Sequence, residues 1–143
     1  MNYQSGKGNF RVALAGDCML TRRLSVFDEP EFLAVRDLFR GCHAGFVNME
    51  SVVRRPEEGT PGVTRGTYMT TPPELLEDLS WLGVNMVSTA NNHAYDYGEG
   101  GLMASCRHLQ EAGIMYAGSG LNMDEARRPG LTLPHRCIIT AIQ

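Results

Sequence analysis

No apolar run in the sequence approaches the ~18–20 residues needed to cross a bilayer, so no membrane-spanning helix is expected. The start, Met1 to Asn9, is polar and lacks the apolar core of a signal peptide, which makes the cytoplasm the expected location. Basic residues do not cluster. Thirteen Lys and Arg stand against 16 Asp and Glu for a net charge of −3, and arginines adjoin only as Arg22-Arg23, Arg54-Arg55 and Arg127-Arg128. A duplex nucleic acid or an anionic membrane surface would want a basic patch, so neither is an expected partner. Cys18, Cys42, Cys106 and Cys137 contain no CxxC pair, which argues against a secreted disulfide framework and against a structural zinc site. They read as mostly buried thiols in a reducing compartment. The absence of GxGxxG and of GxxxxGK[ST] counts against an ordinary nucleotide-binding domain. There is no internal repeat and no linker that would divide two domains.

What remains is ordinary globular composition. The chain has 143 residues, 43% apolar and 20% charged. That length suits one domain, able to bury roughly 68–70% of its unfolded surface without a staple. Residues 1–9 are expected to be disordered or extended, and 10–143 to form the domain.

Short apolar runs alternate with helical patterns. Phe10 to Ala15, Ala44-Gly-Phe-Val47, Asn85-Met-Val-Ser-Thr89, Ile114-Met-Tyr-Ala117 and Cys137 to Ile142 read as strands. Asp28-Glu-Pro-Glu31 and Thr71-Pro-Pro-Glu74 have the form of capping boxes, and Asn122 suits the cap of a short helix. The first helix would bury Phe32, Val35, Leu38 and Phe39, and the second Leu75, Leu76, Leu79 and Leu82. The third, from about Glu99 to Ala112, would bury Leu102, Cys106 and Leu109, with Asp96 as its N-cap. Arg54 to Tyr68, rich in Gly, Pro and Thr, reads as a long loop of the kind that is often functional. Alternation of this kind predicts an α/β fold with a mainly parallel sheet and helices on both faces.

In a parallel sheet the carboxyl ends of the strands share one edge, where ligands bind. The first strand ends in Asp17, the second in Asn48 and Glu50, the third in Asn91, Asn92 and His93. Two carboxylates, carboxamides and an imidazole thus converge from remote segments. The set suits a hard or borderline divalent cation, which would relieve the repulsion of the carboxylates. A cation there could activate water, and His93 could protonate a leaving group. Each residue also has a plainer reading. Asp17 suits a turn, Glu50 a solvated loop, Asn91 and Asn92 a left-handed turn, and His93 a hydrogen-bonded structural histidine. Their joint placement at three successive strand ends favours a site. Arg22 and Arg23 could reach an anionic substrate. Gly118-Ser-Gly120 is a weak phosphate-loop candidate, Cys18 reads as a buried thiol, and His43, His108 and His135 as structural or exposed.

Gly16-Asp-Cys-Met-Leu-Thr-Arg22, Asn48-Met-Glu50-Ser and Ala90-Asn-Asn-His-Ala-Tyr-Asp-Tyr-Gly98, with Gly101-Leu102 following, resemble the bacterial capsule-synthesis CapA family, the poly-gamma-glutamate biosynthesis proteins. Glu111-Ala-Gly-Ile114, Ala117-Gly-Ser-Gly120 and Asn122-Met-Asp-Glu-Ala-Arg127-Arg-Pro129 continue the pattern in order. The match runs from about Arg11 to the end, and the Asn-Asn-His-Ala-x-Asp-x-Gly block is its most specific part. That family resembles the calcineurin-like metallophosphoesterases. The resemblance implies a layered sheet with flanking helices, here half of an αββα sandwich, and a centre that in complete form holds two divalent metal ions. Mn2+ is the first expectation, with Fe, Zn or Mg as alternatives. It places Asp17, Glu50 and Asn92 as metal ligands and His93 as the acid that assists the leaving group. Asn48, Asn91 and Arg22 are then the substrate-binding candidates.

Two departures stand out. Met19 lies where the wider superfamily commonly has a His ligand, a feature shared by CapA-type sequences. The later His-Trp-Gly and Gly-His-x-His motifs have no counterpart, and Leu133-Pro-His-Arg136 does not match them. The chain therefore reads as the N-terminal portion of the family domain, with an open sheet edge after its last strand that could pair with another chain. The implied function is metal-dependent hydrolysis of a phosphoester or amide in capsule polymer metabolism. The alternative is a non-catalytic part of a polyglutamate synthesis or export assembly that binds the anionic polymer. Family members often work at the cell envelope.

Overall fold

A computed structural model describes residues 8–62, 66–132 and 137–139. The expectations for residues 1–7, for Leu133-Pro-His-Arg136 and for the end of the last strand lie outside them. In chain order the elements are β1 (Val12–Cys18), α1 (Pro30–Arg40), β2 (Ala44–Met49), β3 (Val52–Val53), β4 (Thr70–Thr71), and a 3-10 turn over Pro73–Leu75 leading into α2 (Leu76–Leu82). β5 (Met86–Ser88), α3 (Gly98–Glu111), β6 (Met115–Ala117), α4 (Met123–Ala126), β7 (Gly130–Thr132) and β8 (Cys137–Ile139) follow.

Four strands form one parallel sheet in the order β1-β2-β5-β6. Strand order thus follows chain order. Right-handed crossovers that always advance in one direction must lay their helices on one face. Accordingly, Phe39 of α1, Leu76 and Leu79 of α2 and Leu109 of α3 share a core with Ala13, Val47 and Val87. Helix and strand approach closely here: a Cβ on Gly45 would lie 2.3 Å from the Gly83 carbonyl oxygen and 2.9 Å from the Phe39 ring. The opposite face carries Ala44, Met86 and Ala117 with Phe46 and Met115, all from strands. Helices on both faces were expected; the sequential strand order excludes that for α1, α2 and α3.

The register runs Leu14, Phe46, Met86 and Met115 in one row across the helix-free face. The next row in that direction is Asp17, Asn48, Ser88 and Ala117. A bulge between Leu14 and Asp17 makes this possible. Strand alternation alone would turn Asp17 toward the helices; one extra residue returns it to the face of Leu14 and Asn48.

Other departures have local causes. α1 has Glu29 at its N-cap and Pro30 in its first turn, with no side-chain cap, so Asp28 does not close a capping box. Val35 and Leu38 are exposed, because α1 turns Phe39 inward and lays Phe32 and Arg36 against Trp81. Thr71 does not cap α2: it is buried in β4, its hydroxyl 2.8 Å from the Leu20 carbonyl oxygen and 2.6 Å from Ser51 Oγ. Asn122 does cap α4, accepting from the Glu125 N–H at 2.9 Å. β8 pairs antiparallel with β7 in a separate two-stranded sheet and is not the fifth strand of the main sheet, which β1 and β6 bound. The described thiols Cys18, Cys42 and Cys106 are free, and burial pushes those of Cys18 and Cys106 up, leaving them poor nucleophiles.

Candidate functional site

The carboxyl ends of β1, β2 and β5 meet at one corner of the helix-free face. Asn48, the last but one residue of β2, lies beside Asp17 in register. Its Nδ2 donates to Asp17 Oδ1 at 2.8 Å and to Glu50 Oε2 at 2.5 Å. One carboxamide NH2 therefore joins the two carboxylates. Its oxygen accepts from Asn91 Nδ2 at 3.1 Å, and the same nitrogen donates to the Met49 carbonyl at 2.9 Å. Asn91 Oδ1 accepts from the backbone N–H of His93 at 3.1 Å. The turn after β5 is thereby tied to the end of β2.

His93 is set by a residue read wrongly from the sequence. Asp96 does not cap α3, whose N-cap is Tyr97 without a side-chain bond. Its carboxylate is 4% exposed and lies 2.9 Å from His93 Nδ1. It also accepts from the Met69 N–H at 3.1 Å, one residue past the end of the long loop. With Nδ1 engaged, Nε2 faces the site, 3.9 Å from Glu50 Oε1. The signal for this pairing was the three-residue spacing in His-Ala-Tyr-Asp, which a turn brings together as well as a helix does.

Asp17, Glu50, His93, Asn48 and Asn91 thus form one connected set. Asn92 is exposed and stands outside that network, as does Arg22. Arg23 is engaged elsewhere, with Asp78 at 2.9 Å and Glu77 at 3.0 Å. Gly118 takes a left-handed φ of 110°, and Ser119 Oγ is held 3.3 Å from the Thr89 carbonyl oxygen.

Two carboxylates and an imidazole nitrogen are atom types that bind divalent cations, but the Asn48 amide turns its NH2 and not its oxygen toward the two carboxylates. Among the described residues, no three His, Cys, Asp or Glu side chains are grouped so that they could hold a metal ion. Nor is any described helix long and apolar enough to cross a membrane.

A parallel sheet with helices on one face and acid–amide–imidazole chemistry at its carboxyl edge is compatible with a metallophosphoesterase-like layered fold. The particular family is settled by comparison. Residues 11–141 match the model of the bacterial capsule synthesis protein family PGA_cap, and the chain belongs to that family. It is similar to the uncharacterized proteins y4sH and y4uA of Sinorhizobium fredii, each 34% identical over 120 residues. The aligned part is 82% of this chain and 26% of each relative, so the chain spans about a quarter of their length.

Proposed function

We propose that this domain contributes to metal-dependent hydrolysis of a phosphoester or amide in the metabolism of a capsule polymer of the poly-gamma-glutamate kind. One observation carries the reading: Asp17 and Glu50, remote in sequence, share the Asn48 amide, with the His93–Asp96 pair 3.9 Å from Glu50. Asp17 and Glu50 would hold the cation, with Mn2+ as first candidate and the Asn92 amide as the neighbouring ligand. A bound cation would polarise the scissile group and activate water. Asp96 fixes the imidazole through Nδ1, so that Nε2 is the nitrogen turned toward the leaving group. The cation would offset the charge of the Asp17 and Glu50 carboxylates and so let an anionic substrate approach. Membership of the capsule synthesis family supports the polymer context.

The test is a Mn2+ titration with two readouts. Saturation a hundredfold above the dissociation constant should stabilise the fold by ~2.7 kcal/mol. Hydrolysis of a generic phosphodiester should appear with Mn2+, and Asp17→Ala and His93→Ala should each abolish it. Stabilisation without cleavage of any ester or amide would favour the polymer-binding alternative. No thermal shift with any divalent ion would remove the metal reading.

A further inference from the structure

The carboxamides of Asn48 and Asn91 have fixed directions. Ionised carboxylates only accept hydrogen bonds, so the Asn48 group facing Asp17 and Glu50 must be its NH2. The opposite end is fixed too: the His93 N–H requires Asn91 Oδ1, which turns Asn91 Nδ2 toward Asn48 Oδ1. The chain of donors runs one way, from the His93 backbone through two amides to two carboxylates. Reversing Asn48 would set its oxygen against both carboxylates and its NH2 against the NH2 of Asn91.

Resting on the metal reading above, we propose that the Asn48 carboxamide, aimed by Asn91, is the resident positive partner of the Asp17–Glu50 pair and competes with a divalent cation for that position. Asn48 is a positioning residue in this account. Its NH2 holds the carboxylates together when no cation does, and it sets how readily the pair accepts one. The relay also makes the lock sensitive to the turn that carries His93.

Thermal melts in the full chain test this in two arms. In chelator, Asn48→Asp removes the NH2 and adds a third carboxylate, and should lower Tm by about 5 °C or more. Asp17→Asn added to that variant returns an amide to the cluster, and the double swap should recover at least half of the loss. A purely structural role for Asn48 predicts additive losses instead. In the second arm, Mn2+ alone is the probe. Asn48→Asp should respond at a Mn2+ concentration at least tenfold lower than the parent. Additive losses, or a variant that responds no more readily than the parent, would overturn the proposal. A variant that responds while the parent shows neither Mn2+ binding nor hydrolysis would sink the hydrolase reading and leave the amide lock standing.

Discussion

Asp78 shows how much one side chain can hold. It lies in α2, 1% exposed, and accepts from the Leu24 and Ser25 N–H groups at 2.7 Å and from Arg23 at 2.9 Å. Burial alone would push its carboxyl up. The Ser25, Arg23 and Leu24 donors outweigh that and hold it below its ordinary value. Asp78→Ala should therefore cost about 2–4 kcal/mol, since it frees two backbone donors and an arginine together. Denaturant unfolding would measure it. A carboxylate ionised more readily in the folded chain stabilises above its unfolded value and loses that contribution as pH falls through the folded one. The difference between parent and Asp78→Ala should thus be full near neutrality and shrink in strong acid. At the proposed site, Asp96→Asn should slow hydrolysis by about 10–100-fold while leaving Mn2+ stabilisation intact, because Asp96 touches the imidazole and no carboxylate. Equal loss of both would place Asp96 among the ligands instead.

The Arg54–Tyr68 loop is strapped to α3 by chemistry that periodicity does not reveal. Glu58 reaches His108 Nε2 at 2.8 Å and pairs with Arg107, while Arg54 lies 4.1 Å over the Tyr97 ring. Desolvation would push the Glu58 carboxyl up, but the Arg55 N–H, His108 and Arg107 hold it at about 2. Gly59 makes the approach steric as well: its φ is +79°, and a Cβ there would lie 2.5 Å from the Gly101 nitrogen. Glu58→Gln should loosen the strap and raise protease cutting within residues 54–62 several-fold, with a stability loss of about 1–3 kcal/mol. Acid should mimic the variant, because the Glu58 contribution is full above its unfolded value near 4.5 and is lost as pH falls toward 2. Strands and helices were legible because their apolar spacing is local. The partners of Glu58, Asp78 and Asp96 were not, because a charged residue in a loop or on a short helix looks solvated until the fold brings donors to it. The same gap explains α1: Val35 and Leu38 match the helical period, yet Trp81 from α2 decides which side of that helix is covered.

Chain order becoming strand order has a consequence for the whole molecule. With α1, α2 and α3 on one side, the row Leu14, Phe46, Met86 and Met115 faces away from them, and Leu14 is 72% exposed in the middle of a strand. Phe10 and Val12, on the same side of the chain by strand alternation, are 42% and 43% exposed. Alternation announced which residues share a face; only the strand order decided that α1, α2 and α3 would lie on the other one. The approach of Asp17, Asn48, Glu50 and His93 was legible for the same reason, since strand ends align in any parallel order, whereas the bulge that turns Asp17 to the face of Asn48 was not, and Asn92, expected with them, is exposed outside the cluster. Exposure is confined to the β1 edge, since Met86 in the same row is 3% exposed, and an apolar edge of this kind binds hydrophobic dyes and promotes association. The isolated chain should enhance the fluorescence of an anilinonaphthalene dye and associate as concentration rises, read by light scattering. Leu14→Arg should reduce both by about half or more. Because Leu14 has little contact to lose, its Tm should move by less than about 2 °C, as for other surface changes. A fall of about 5 °C or more would show Leu14 buried in solution, and the helix-free face would then be covered.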